Sequence, residues 1–148
     1  MQRRALKYLK FGDPREVTEL VTETISSDIG PSEASARWLA SPVNPLDINK
    51  IQGAYMLKPP LPAIGGSEGV GRVVKVGPSV TTVSPGDKVT TFTINSPCWT
   101  DYSIVEESDL TKIDQRITPL QGAIMMINPT TAWLMIKMGG MEEGDWIV

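Results

Sequence analysis

The chain has 148 residues, a mass of 16.1 kDa and an apolar content of 41%, enough to bury a real core and too much for disorder to be its default state. Its formal charge of −3 and pI near 5.0 arise from interspersed residues rather than blocks, which argues against nucleic acid or an anionic membrane surface as the main partner, and no apolar run approaches the length of a bilayer span. With no histidine and the single cysteine Cys98, proton chemistry falls to tyrosine, lysine, carboxylates or water, most routes to a zinc site close, an internal disulfide is excluded, and a reducing compartment fits.

The basic start MQRRALKYLK lacks serine and runs directly into Phe11-Gly12-Asp13-Pro14, so it reads as a first strand from Ala5 to Phe11 rather than as a transit peptide. Gly-Asp-Pro turns the chain back into a second strand, Val17 to Thr24, rich in β-branched residues. After a turn over Asp28 to Ser32, a third strand from Ala34 to Leu39 leads into the run Ser41 to Gly71. There Pro42, Pro45, Pro59, Pro60 and Pro62 exclude a central strand or an unbroken helix. Asn44 with Pro45 behind it predicts a short helical turn. Asn49, Gln52 and Tyr55 join Asn44 and Asp47 as polar groups that a structured loop presents to a ligand.

Two apolar strands, GVGRVVKVG and DKVTTFTI, follow, separated by Pro78 and Ser84-Pro85-Gly86-Asp87, and Val70, Val73, Val74, Val76 and Val80 are expected in the core. A loop at Asn95-Ser96-Pro97, a strand from Trp99 to Val105 and a short one from Leu110 to Ile113 complete a pattern of a barrel or sandwich. At Ile117 the patterning turns helical. Thr118 is placed to cap a helix opening on Pro119, and Asn128-Pro129 interrupts it. A second helix from Pro129 to Met138 ends at Gly139-Gly140, its Met and Leu residues expected in the core. Trp146-Ile147-Val148 reads as the opening of another strand. The expected division is therefore 1–117 and 118–148. Gly66, Gly69 and Gly71 lead into a valine-rich strand, not a helix, so they read as a barrel turn and not as a dinucleotide fingerprint.

The segments Tyr8–Pro14 (YLKFGDP), Ser41–Tyr55 (SPVNPLDINKIQGAY), Gly69–Gly77 (GVGRVVKVG), Pro85–Val89 (PGDKV) and Asn128–Trp133 (NPTTAW) resemble, in order and spacing, the zinc-independent medium-chain dehydrogenase/reductases. Among these, INKIQGAY followed by KPPLPAIGGSEGVG is most similar to the mitochondrial trans-2-enoyl-CoA reductases. The resemblance implies a fold that is mainly β with flanking helices (α+β): a GroES-like, partly open β-barrel, with the chain stopping at the first strand of a Rossmann domain. Zinc alcohol dehydrogenases of the superfamily have a metal-ligating Gly-His-Glu where this chain reads Gly66-Ser67-Glu68, and serine is a poor zinc ligand, so no metal is expected.

What the resemblance implies for chemistry is hydride transfer from NADPH, its main site lying beyond Val148, to the β-carbon of an enoyl-CoA or enoyl-acyl-carrier-protein thioester, with protonation at the α-carbon. Tyr55 matches the family's proton donor; the plainer alternative is a loop aromatic packed on Met56 and Leu57. Asn128 matches a cofactor-side asparagine, with a helix cap before Pro129 as the alternative. Asn44 and Trp99 fall on the substrate side, against a loop-organising asparagine, shared with Asp47, and a core or edge tryptophan. The implied compartment is the mitochondrial matrix, with the cytoplasm as the alternative, and a homodimer is the implied assembly. Two other functions stay open: a quinone oxidoreductase of the same architecture, and a non-enzymatic binding or dimerisation module. Standing alone, the 148 residues are expected to be inactive.

Overall fold

A computed structural model describes residues 1–91 and 97–146. The expected continuation of one strand through Ile94, the loop at Asn95 and Ser96, and the terminal strand at Ile147 and Val148 lie outside the described residues. Strand β1 (Gln2–Tyr8) pairs antiparallel along its whole length with β2 (Thr18–Thr24), from Gln2 opposite Thr24 to Tyr8 opposite Thr18. The connection is not a bare turn but a short helix, α1 (Pro14–Val17). Asp13 caps it by accepting from the Arg15 backbone N–H at 2.9 Å, and Pro14 takes the first helical position, where its missing donor costs nothing.

On its other edge β1 pairs with the two-residue strand β4 (Ala63–Ile64), which sequence patterning missed because it is too short to show a period and follows directly on Pro62. The second sheet has five antiparallel strands in the order β7 (Tyr102–Glu106), β3 (Glu33–Ala40), β5 (Val70–Val76), β6 (Lys88–Thr91) and β8 (Leu110–Lys112). Residues 99–101, expected inside a strand, instead run against β1. Leu6 N–H donates to Trp99 O at 2.9 Å, Asp101 N–H donates to Arg4 O at 3.1 Å, and Ala5 bridges to Thr100. This seam joins the two sheets along one edge into the partly open barrel.

The main core gathers Ala34, Ala36, Trp38, Val73, Val83, Val89, Cys98, Val105 and Leu110, with Val76 and Val80 packed on it. Val74 is the exception to the expected valine core, half-exposed at 50%, because successive side chains of β5 alternate faces and Val73 already takes the inward one. A second cluster of Tyr8, Ile51 and Ala63, flanked by Phe11, Val17 and Trp99, fixes helix α2 (Pro45–Gln52) to β1 and β4. A third, of Val70, Ile113 and Ala123, seats helix α3 (Pro119–Ala123), whose Gly122 lies so close that a Cβ there would meet Val70 Cγ2 at 2.8 Å. Thr118 caps α3 as expected, in a reciprocal arrangement with Gln121.

Helix α4 (Asn128–Met138) begins one residue earlier than expected, with Ile127 at the cap position and Asn128 and Pro129 within its first turn. The expectation that its Met and Leu residues form core is overturned. No residue of α4 is buried, and Trp133, Leu134, Met135, Ile136 and Met138 are all exposed, because no described element packs over them.

Candidate functional site

The Ser41–Gly71 run folds as two pieces joined at a left-handed residue. α2 ends on Gly53 at φ 72°, where the N–H groups of both Ala54 and Tyr55 turn back to Asn49 O at 2.9 and 3.1 Å. That closure sets the position of Tyr55, which is half-buried. Met56 and Leu57 beside it are exposed. Phe11 lies against Gly53 with the Lys58 ammonium 5.7 Å from its ring centre, so the loop wraps an aromatic from the end of β1.

Asn44 stands at the cap of α2 with Pro45 in its first turn, as expected, and Asp47 Oδ2 accepts from the Asn44 backbone N–H at 2.8 Å. The Asn44 side chain is engaged elsewhere. Its Nδ2 donates to Glu68 Oε1 at 2.8 Å, and its Oδ1 accepts from Asn128 Nδ2 at 3.1 Å. The other carboxylate oxygen of Glu68 accepts from the backbone N–H groups of Met126 and Ile127, at 3.1 and 3.0 Å. Asn44 and Asn128, 84 residues apart, are thus brought together, while Asn128 keeps its carbonyl oxygen without a partner among the described residues.

Glu68 is the member that sequence reasoning passed over, having been weighed only for the missing histidine beside it. It is 1% exposed, and one carboxylate ties the α2 loop to the approach of α4. Lys50 was missed too, and the only signal available was a lysine on the apolar side of a short amphipathic helix. It is buried, its Nζ donates to Ser67 Oγ at 3.2 Å, and burial pulls its pKa below 10.5 against the opposing pull of Asp47. Asp47 Oδ1 is itself buried with no hydrogen-bond partner among the described residues.

At Gly66-Ser67-Glu68 the chain therefore places a hydroxyl that accepts from an ammonium and a carboxylate with both oxygens engaged. Among the described residues no three of His, Cys, Asp and Glu are grouped to hold a metal ion. The Cys98 thiol is buried in the main core, where burial together with the carboxylates of Asp47 and Glu68 pushes its pKa up. Trp99 is half-buried. Its Nε1 donates to Pro42 O at 3.0 Å and its ring covers Gly65 and Gly66, where an added Cβ would meet ring carbons at 2.3 and 2.5 Å. It braces the loop through Pro42, Gly65 and Gly66. A cavity of about 400 Å³ bordered by Lys7, Lys10, Glu16 and Val21 belongs to the β1–β2 hairpin and shares no residue with this cluster.

Residues 30–123 match the alcohol dehydrogenase GroES-like domain family. The mitochondrial enoyl-[acyl-carrier-protein] reductase of Caenorhabditis elegans is 50% identical over 145 residues, covering 97% of this chain and 42% of the relative; the human protein of that name is 40% identical, covering 98% and 39%. The chain thus spans about two fifths of the length of these curated relatives. Among solved structures, the mitochondrial 2-enoyl thioester reductase Etr1p/Etr2p heterodimer of Candida tropicalis superposes with a TM-score of 0.88 at 29% identity, covering 96% of this chain and 44% of that one. The Etr1p complex with NADP and crotonyl-CoA gives 0.86 at 29%, covering 100% and 45%. A quinone oxidoreductase of Pseudomonas syringae gives 0.84 at 27%, covering 97% and 43%. The chain belongs to the alcohol dehydrogenase GroES-like domain family and, within it, matches the amino-terminal part of the mitochondrial enoyl thioester reductases.

Proposed function

We propose that this chain is the substrate-side domain of an NADPH-dependent enoyl thioester reductase acting in the mitochondrial matrix. The observation that carries this reading is the joining of the Tyr55 loop to the approach of α4 through Asn44, Glu68 and Asn128, in a chain whose relatives carry that name. Residues 1–117 form the catalytic barrel in this reading, and 118–148 open the nucleotide-binding domain.

NADPH, when bound, supplies hydride to the β-carbon of the thioester. The residues of this chain then have two tasks. Asn128 suits the cofactor side, because its unpartnered carbonyl oxygen is an acceptor held at an exposed helix start. Tyr55, on a loop held by Gly53, donates a hydrogen bond to the thioester oxygen as enolate charge develops and then transfers that same proton to the α-carbon, its O–H bond breaking as the C–H bond forms, and water returns a proton to the phenolate. Asn44 and Trp99 shape the substrate side indirectly, Asn44 by holding the loop to Glu68 and Trp99 by bracing Gly65 and Gly66.

The presence of a two-reductase heterodimer among the similar structures supports a second copy as partner. Quinone reduction is the second reading, favoured by the likeness to the Pseudomonas syringae structure. Following NADPH oxidation by a chain completed to the relatives' length, with crotonyl-CoA against a benzoquinone, separates the two. Thioester-dependent turnover is the expected result, and turnover with the quinone alone would overturn the reductase assignment.

A further inference from the structure

The chain of side-chain amides that ends at Asn128 has a direction, and chemistry alone sets it. A carboxylate has no proton to give, so Glu68 Oε1 at 2.8 Å from the Asn44 amide must face its NH2 group. Glu68 cannot turn away from this duty, since its Oε2 is held by two backbone N–H groups, those of Met126 and Ile127. With the NH2 of Asn44 committed, its carbonyl faces Asn128, and the Asn128 amide must point its own NH2 inward at 3.1 Å. The end of the Asn128 amide turned to the exposed side is therefore its carbonyl oxygen, an acceptor, while the second N–H of its NH2 stays on the inward end.

We propose that Glu68 is a positioning residue that sets which end of the Asn128 amide is turned outward, so that the group Asn128 recognises is a hydrogen-bond donor, of the kind a carboxamide N–H provides. This rests on the reading of Asn128 as cofactor-facing. Glu68 touches no substrate and acts only through Asn44 and Asn128.

The substitution Glu68→Gln makes a sharp prediction. The carbonyl of the new amide is claimed by the two backbone N–H groups, its NH2 turns to Asn44, and each amide along the chain inverts, leaving Asn128 with its NH2 outward. A residue that merely held the fold together would not reverse the amides when replaced by its isostere.

Through-hydrogen-bond 15N–13C couplings on the 148-residue chain read the direction without any turnover, so failure of the reductase assay leaves this test standing. The unmodified chain is expected to couple Asn128 Nδ2 to the Asn44 side-chain carbonyl carbon, and Asn44 Nδ2 to the Glu68 carboxylate carbon. This arm needs no variant to fold. In Glu68→Gln the first coupling is replaced by one from Asn44 Nδ2 to the Asn128 carbonyl. Coupling in the opposite sense in the unmodified chain, or none between these pairs, overturns the relay. Titration with nicotinamide and with N,N-dimethylnicotinamide, which lacks the donor, then reads the outward face. The expected result is an Asn128 side-chain shift with nicotinamide alone, and a loss of that preference in Glu68→Gln. Equal shifts with both probes in the unmodified chain, or no shift with either, overturn the donor assignment.

Discussion

Glu68 and Lys50 show what a single buried charge commits a protein to. Replacing Glu68 by Ala strands the Asn44 amide and the N–H groups of Met126 and Ile127, and an unmade buried hydrogen bond costs about 1–3 kcal/mol. Urea unfolding of Glu68→Ala is therefore expected to show a loss of at least ~2 kcal/mol, whereas Glu68→Gln, which keeps the bonds, loses far less. Lys50→Met removes the hydrogen bond to Ser67 and the positive charge that acts on the buried Asp47 carboxylate, at a cost of about 1–3 kcal/mol at neutral pH. The pH dependence has a definite sign. Because the folded-state pKa of Lys50 lies below 10.5, the unfolded chain binds more protons between the two values, and the Lys50 contribution to stability rises with pH through that window. Thermal melts of the native chain and of Lys50→Met should separate further as pH climbs towards 10.5; a constant separation would show that Lys50 does not titrate differently on folding.

Among the elements, those whose local chemistry decides their shape were the legible ones. Pro45 after Asn44, Pro119 after Thr118 and the β-branched run of β2 each produced the expected helix start or strand. What stayed hidden depends on partners distant in sequence. β4 exists only because Ala63 and Ile64 meet Tyr8 and Lys7, and residues 99–101 leave β7 because β1 claims their backbone groups. The site divided along the same line. Tyr55, Asn44 and Asn128 were proposed from resemblance, whereas Glu68, inside one of the quoted motifs, shows its part only through its contacts with Asn44, Met126 and Ile127, which lie 24, 58 and 59 residues away. Gly53 tests how α2 places Tyr55. An alanine there must hold φ near 72° and would bring its Cβ within 2.9 Å of Phe11 Cβ, so Gly53→Ala is expected to cost about 1–2 kcal/mol in chemical unfolding. At the β1–β2 hairpin, hydrogen bonds from Lys7 and Arg3 hold the Glu23 carboxyl below 4.5. That contribution is complete above pH 4.5 and disappears as pH falls through the lowered value, so Glu23→Gln should flatten the acid limb of the stability curve.

At the scale of the whole molecule, the barrel carries its own core while α4 buries none of its residues. The barrel strands bury Val70, Val73 and Val89 completely or nearly so, whereas α4 leaves Trp133 and Met135 in solvent. Under the proposed reductase reading, NADPH consumption with crotonyl-CoA is expected from a chain completed to the relatives' length. The central claim is narrower: a tyrosine on the loop that Gly53 closes gives the proton to the α-carbon. Its most direct test is kcat for crotonyl-CoA reduction by the completed chain, unmodified and as Tyr55→Phe. The account predicts a fall of about 10²–10⁴-fold with KM little changed; a Tyr55→Phe enzyme that turns over at the unmodified rate would contradict it.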